Sequence, residues 1–465
     1  MRDTPQQTGE QASWSPLEKR AGFSLATIYA VRMLGLFMIL PVFSLYAEQF
    51  EGSTPLLVGL ALGIYGLTQA LLQIPYGMLS DRFGRKPMIT IGLLIFAAGS
   101  LLAADASTIY EVIIGRALQG SGAVAAVLMA LAADLSREEH RLKMMGFIGV
   151  SIGFAFAIAM VAGPILNQIV GLSGIFIVTA ILALFALIIL FIWVPNPKES
   201  IFHRDTQANP TLFKTVLADT QLLRLDFGIL ILHMVLMATF VAFPLVLQNE
   251  AGLASLDHWK LYLPVFLLSV GIMVPFIIIA ETRRRMKQIF VGAIGVLAVA
   301  ELNLFFGGSS VWHLALTMVV FFSAFNLLEA SLPSLVSKMS PADRKGTAMG
   351  VYSSSQFMGA FLGGLFGGLA YEYAGAQGVY LMCSFALLVW LLLAYTMKNP
   401  RYVSTYLLKI GKIEPSKVNQ MVSALVSVQG VAEAVIQAEE GIAYLKVELH
   451  ALDKTALLKY SINET

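Results

Sequence analysis

GMLSDRFGRKP, residues 77–87, sets Asp81, Arg82, Arg85 and Lys86 between two long apolar runs. The run before it covers 56–79 and the run after it 87–104. Each has the length of a bilayer-crossing helix, which needs about 20 mostly apolar residues. A turn this charged does not sit in hydrocarbon, so the stretch is expected at a membrane surface.

The rest of the chain repeats that alternation. Its 465 residues are 57% hydrophobic and only 13% charged, with mean hydropathy +0.75. Soluble domains carry about a quarter charged residues. Here the apolar residues come in blocks, which marks an all-α integral membrane protein. Twelve spans are expected, at 22–47, 56–79, 87–104, 108–134, 142–169, 173–194, 223–249, 259–281, 288–306, 312–338, 344–371 and 377–397. Alternate short loops hold Arg82/Arg85/Lys86, Arg137/Arg141/Lys143, Arg283/Arg284/Arg285/Lys287 and Lys338/Arg344/Lys345. The intervening loops are almost free of Lys and Arg, Lys260 being the near exception. The positive-inside rule then puts both termini in the cytoplasm. Residues 1–20 are polar and carry no removable signal peptide pattern. The net charge of +2 is sorted by loop and does not suggest nucleic acid. With Cys383 alone, no intrachain disulfide or cysteine metal site is possible. No cofactor, metal or catalytic constellation is expected, and the absence of a Gly-Lys-Ser/Thr phosphate loop argues against ATP-driven work.

Two halves of the membrane region resemble each other. Pro75, Asp81 and Arg85 lie over Pro275, Glu281 and Arg285 at an offset of 200. SREEHRLKMMG (136–146) lies over SPADRKGTAMG (340–350) at 204. The division reads as a segment 1–20, a six-helix half 21–194, a polar linker 195–222, a second half 223–398 and a soluble tail 404–465. Paired halves around a central path are a common transporter build. The tail alternates as βαββα, with strands at 403–410, 431–438 and 442–449 and helices at 415–428 and 452–462. It suggests a small ferredoxin-like domain without its last strand. Its 411–415 loop has neither Cys nor His, so metal binding is not expected there.

The 77–86 turn resembles the G-x-x-x-D-R-x-G-R-K loop signature of the major facilitator superfamily, and GRALQGSGA (115–123) resembles its R-x-x-Q-G-x-G signature. The resemblance covers about residues 20–398 and is of the drug:proton antiporter type. In the fifth span Gly163-Pro164 of the antiporter pattern is kept, while Ala159 and Asn167-Gln168 stand where the pattern has glycines. The resemblance implies a proton-coupled secondary transporter in a bacterial inner membrane. It would export amphiphilic drug-like compounds by alternating access, as a monomer. Two alternatives are a proton-linked carrier of a native metabolite and a membrane ligand sensor signalling through its tail. The family's loop acid faces the start of the eleventh helix, here near 343–346. Gly77, Asp81, Arg82, Gly84, Arg85, Lys86 and Asp134 therefore form an expected conformational latch. Asp81 is expected just beyond the C-terminus of the second helix, where a negative charge opposes the helix dipole.

Charged residues inside spans cost about 2.5–3.5 kcal/mol each and default to functional candidates. Arg32, Arg116, His233, Glu301 and Glu329 are the candidates for proton coupling. A carboxyl group in apolar surroundings can take up and release a proton in a useful range, and Glu329 is favoured, with Asn326 on nearly the same face. An arginine tying helices together, a locked neutral carboxyl or a packing histidine are the plainer roles. Tyr65, Gln69, Gln73, Gln119, Asn326 and Gln356 are cavity candidates, although polar residues also serve as interhelical contacts. Gly163, Pro164, Gly359 and Gly363 are read as helix-packing positions.

Overall fold

Helix starts in this chain follow local capping chemistry. Ser15 and Glu18 form a reciprocal capping box, as do Thr108 and Glu111, while Thr54, Asp219 and Ser310 each accept a backbone N–H from the first turn they precede. The computed structural model describes residues 14–196, 212–308, 310–341, 344–399, 404–411, 413–438, 441–448 and 451–461. Most of the linker, and residues 342 and 343 between the expected tenth and eleventh spans, lie outside them.

The helices are α1 (Pro16–Phe37), a short α2 (Phe43–Tyr46), α3 (Pro55–Phe83), α4 (Arg85–Ala104), α5 (Ile109–Ser121), α6 (Ala125–Asp134) and α7 (Glu138–Ile192). After the linker come α8 (Phe213–Leu217), α9 (Thr220–Asn249), α10 (His258–Thr282), α11 (Met286–Phe306), α12 (Val311–Met339) and α13 (Lys345–Tyr395). Among the described residues, nine helical stretches are long and apolar enough to cross a membrane. α7 and α13 are not straight rods: Gly171 (φ 69°) and Gly375 (φ 62°) leave helical geometry in their middles. A straight 55-residue helix would run about 80 Å, well over twice a bilayer core of about 30 Å.

One expectation is corrected at the opening stretch. Residues 77–87 are not a charged loop: α3 continues to Phe83, only Gly84 leaves helical geometry, and α4 starts at Arg85. Gly84 adopts φ 93° and donates its N–H to Ser80 O at 3.0 Å, so a single residue turns the chain. Asp81 therefore lies in the last turn of α3 and not beyond its C-terminus.

Packing divides the helices by exposure. α9 is the most enclosed, with 83% of its apolar stretch buried against 22% for α10. Side chains such as Leu267, Leu268, Ile181 and Phe191 form an outward apolar belt, as lipid contact requires. Glycines let α13 approach two helices at once. A Cβ on Gly359 or Gly363 would lie 2.1 or 2.2 Å from Leu230 O or Met234 O of α9. One on Gly364 would lie 2.3 Å from Gly59 O of α3. Gly163 is likewise pressed on Met38 O, and Pro164 sits within α7. A run of aromatic rings, Phe37, Phe156, Phe266 and Phe322, crosses from α1 through α7 to α10 and α12 at centroid distances of 4.4–5.4 Å.

The tail forms β1 (Ser404–Lys409), α14 (Val418–Val426), β2 (Val431–Gln437), β3 (Ile442–Val447) and α15 (Lys454–Leu458). The sheet order is β1-β3-β2, antiparallel throughout. Leu425 and Leu457 join Ala443, Leu445 and Val447 in one small core, which places both helices on one sheet face. From the sheet Lys446 reaches the bundle: its Nζ donates to Ser337 O of α12 at 2.9 Å.

Candidate functional site

Polar side chains gather in four places. The first is the α3–α4 junction. Arg85 is buried, pairs with Asp81 one turn back, donates from Nε to Asp134 at 3.0 Å and from a terminal nitrogen to Ser80 Oγ at 2.6 Å. Its guanidinium and the two carboxylates tie α3, α4 and the end of α6 together. Arg82 lies over the Phe83 ring at 5.5 Å, and Gly77 faces only Ala126. Lys86 donates to Val194 O at 2.7 Å, while Arg20 donates to Trp193 O and Ile192 O at 2.7 and 2.8 Å. Two cations thus satisfy the free carbonyls that end α7, where positive charge is favourable. At the end of α13, Arg224 donates to Thr396 O at 2.7 Å and Lys287 lies over the Tyr395 ring. Of the expected partner region for Asp81, 343–346, position 343 lies outside the described residues.

The second place is the interior among α1, α3, α4 and α5. Arg32 donates to Tyr65 Oη at 2.6 Å, Gln69 Oε1 at 2.7 Å and Gly122 O at 3.3 Å. Arg116 donates to the carbonyls of Ala61 and Leu62 and to Gln119, whose amide donates on to Ser100. Five cavity and coupling candidates are thereby tied into two groups, Arg32 with Tyr65 and Gln69, and Arg116 with Gln119.

The third lies in the second half, among α9, α12 and α13. The Gln356 amide donates to Glu329 Oε1 at 3.0 Å and lies 2.9 Å from His233 Nε2. His233 and Glu329 are 3.8 Å apart, and the Glu329 side chain is 37% exposed. Glu301 differs: it is fully buried and accepts from Thr239 at 2.7 Å. Asn326 does not join Glu329; its amide donates to Ser269 of α10 at 3.2 Å.

The fourth is the α3–α13 seam. Gln73 donates to Ser354 at 2.9 Å, and Ser354 donates to Ala70 O at 3.1 Å. At the far end, Glu372 accepts the Leu56 N–H at 3.0 Å, capping α3 from α13. The six cavity candidates therefore bond in four places: Tyr65, Gln69 and Gln119 in the interior of the first half, Gln73 on the seam, Gln356 with Glu329, and Asn326 with Ser269.

Sequence reasoning passed over two features. Asp226 is buried in α9, and as an acid inside an expected span it had the same signal as Glu301. Glu18, ahead of the first span, accepts from the Arg137 backbone and side chain and lies 3.0 Å from His140 Nδ1. Burial alone would raise its carboxyl, but these bonds and that from Ser15 hold it well below the usual carboxylate range. Nothing in the spacing of 18, 137 and 140 announces that contact.

A helical membrane bundle with buried ionisable side chains between its helices is a build that solute carriers use. The Major Facilitator Superfamily model matches residues 25–300 and again 263–428, and the chain belongs to that family of membrane transporters, which are not enzymes. It is 49% identical over 438 residues to the inner membrane transport protein YajR of Escherichia coli, covering 93% of this chain and 95% of that one. The multidrug resistance protein MdtH of Aeromonas salmonicida is 25% identical over 74% of this chain and 86% of its own. Among solved structures, a bacterial homologue of the human lysosomal transporter Spinster, inward-facing and occupied, superposes with a TM-score of 0.70 at 13% identity. That alignment covers 84% of this chain and 98% of the other.

Proposed function

We propose that this protein is a proton-coupled secondary transporter of a bacterial inner membrane, exporting an amphiphilic compound in exchange for protons. The observation that carries this reading is the Glu329–Gln356–His233 cluster. A carboxylate and an imidazole share one neutral amide on three helices of the same half, and Glu329 is partly exposed while one of its oxygens is buried without a hydrogen-bond partner. Protonating either group changes which acceptors the Gln356 amide has, which is a direct link from proton uptake to the packing of α13 on α9 and α12. Glu301 is enclosed and is the weaker candidate. The identity of YajR as an inner membrane transport protein supports the location, and the name of MdtH supports a drug-like substrate.

The reading includes twelve spans in two halves, 21–194 and 223–398, with both termini cytoplasmic. It takes α1 with α2 and α5 with α6 as single spans, and divides α7 and α13 at their glycines. Gly171 and Gly375 lie 204 residues apart, the same offset as the repeated loop motif, and Arg20 and Arg224 at the two capped helix ends do too. The Asp81–Arg85–Asp134 group acts as a cytoplasmic latch. The 404–465 domain modulates the cycle from its seat on α12.

Proteoliposomes with an imposed pH gradient test the proposal. Dyes and drugs from an amphiphile panel should move against the gradient, and Glu329→Gln should abolish that movement while binding persists. Binding with no flux for any compound would overturn transport. Full flux in Glu329→Gln would remove the proton from that site.

A further inference from the structure

Arg32 and Arg116 are both buried, at 0% and 2% exposure, and both lie beside the same ring: their guanidinium carbons are 5.9 and 5.3 Å from the centre of Tyr65. Neither makes an ion pair among the described residues, and all six of their acceptors, three backbone carbonyls, two amides and a phenol, are neutral. The two differ in how they use their donors. Arg116 places Nε and both terminal nitrogens on partners, so tying α5 to α3 accounts for it fully. Arg32 places one terminal nitrogen on three acceptors, and its Nε and other terminal nitrogen are buried without any.

The two nitrogens of Arg32 without acceptors are Nε and the terminal nitrogen on the Cδ side, which point to different sides of the guanidinium, so each offers a separate N–H donor to an oxygen of an anion. A buried cation without a counter-charge costs several kcal/mol, and a second cation on the same ring raises the potential further. Aromatic surface surrounds the guanidinium. Phe96 lies 5.7 Å from the Arg32 guanidinium, and Phe357 of α13 meets Tyr65 edge-on at 6.4 Å across the seam. Parting α13 from α3 would uncover this wall.

We propose that Arg32 recognises the anionic head of the transported compound, an aromatic amphiphile bearing a carboxylate or sulfonate. The inference rests on the transporter reading and names its substrate class. Two guanidinium groups repel a lipophilic cation from this half, and the anion and the proton-carrying Glu329 occupy different halves, so neither neutralises the other.

The test is equilibrium binding to the full-length protein in nanodiscs, with 2-naphthoate and 2-naphthalenesulfonate as anions and tetraphenylphosphonium as the cation. The wild type should bind both anions saturably, with no displacement by the cation. Arg32→Gln should lose about tenfold in anion affinity, the size of a charged hydrogen-bond pair, and Arg32→Lys should lose less because it keeps the charge. Tetraphenylphosphonium bound in preference to the anions, no saturable anion binding by the wild type, or unchanged anion affinity in a folded Arg32→Gln would each overturn the site. Charge selectivity of the wild type stands as a test even if Arg32→Gln does not fold. Anion binding without flux would sink the transporter reading and keep the site. Proton-driven flux of cations alone, lost in Glu329→Gln, would keep the transporter and sink the site.

Discussion

Arg85 is buried and answers to two carboxylates and a hydroxyl at once. Removing one member of such a group strands the other charge. Arg85→Ala should therefore cost about 3–5 kcal/mol, read as a fall in the melting temperature of the detergent-solubilised protein. Asp81→Asn should cost far less, because Asp81 is one-third exposed and Asp134 still holds Arg85. Glu18 gives the pH prediction. Its carboxyl sits below the usual range in the folded protein, so its contribution is fully present above the ordinary carboxylate pKa of about 4.3 and is lost as pH falls beneath it. Melting temperatures of the wild type and Glu18→Gln should differ at pH 7 and converge toward pH 3. Arg85 and its neighbours were legible because four charges in eleven residues interrupt an apolar pattern. Glu18, Arg137 and His140 were not, since a contact across 119 residues leaves no local mark.

At the scale of the element, Gly84 converts two helices into a corner. Any L side chain there strains the backbone, so Gly84→Ala should cost about 1–2 kcal/mol. α13 is more demanding. Gly363→Val would drive side-chain atoms into the Met234 carbonyl, and the helix must then part from α9. A loss of monodisperse, folded protein on size exclusion is expected, whereas Gly271→Val, on a face of α10 with open space, should be tolerated. The glycines at 359 and 363, one turn apart, were readable as packing positions. That Gly364 and Gly368 present a second face to α3 was not, because one helical sequence cannot say which neighbour each face meets.

Across the whole molecule, α3 and α13 are held at one end by Glu372 on the Leu56 N–H and in mid-course by Gln73 and Ser354. Glu372→Ala removes a carboxylate from a helix N-terminus, where it is worth about 0.3–1 kcal/mol. Labelling of a cysteine at Thr54, in a Cys383→Ala background, should rise by a few-fold in that variant. The tail is coupled to the bundle through Lys446, whose ammonium burial, with Lys345 adding repulsion, pushes down to about 8. A lowered lysine binds its proton more weakly when docked than when free. Docking should thus tighten as pH rises from about 8 toward the ordinary lysine value of about 10.4. Hydrogen exchange in β3, followed across that interval with Lys446→Met as the control, checks the sign.

Local order and solvent preference were determined by sequence alone. Blocks of about 20 apolar residues must be helices in lipid because no water is there to satisfy the backbone, and a shift to strict alternation after residue 403 must be a sheet with one covered face. The motifs at 77–86 and 115–123 likewise carried the family. Only tertiary structure decided how the polar residues were grouped. It placed Asp81 inside α3 and gave Asn326 to Ser269. It joined Glu329 to His233 through Gln356, and left two nitrogens of Arg32 with N–H groups to spare. The physical reason is that hydrogen bonding depends on tenths of an ångström between helices hundreds of residues apart. Hydropathy and periodicity report only which face of each helix is wet.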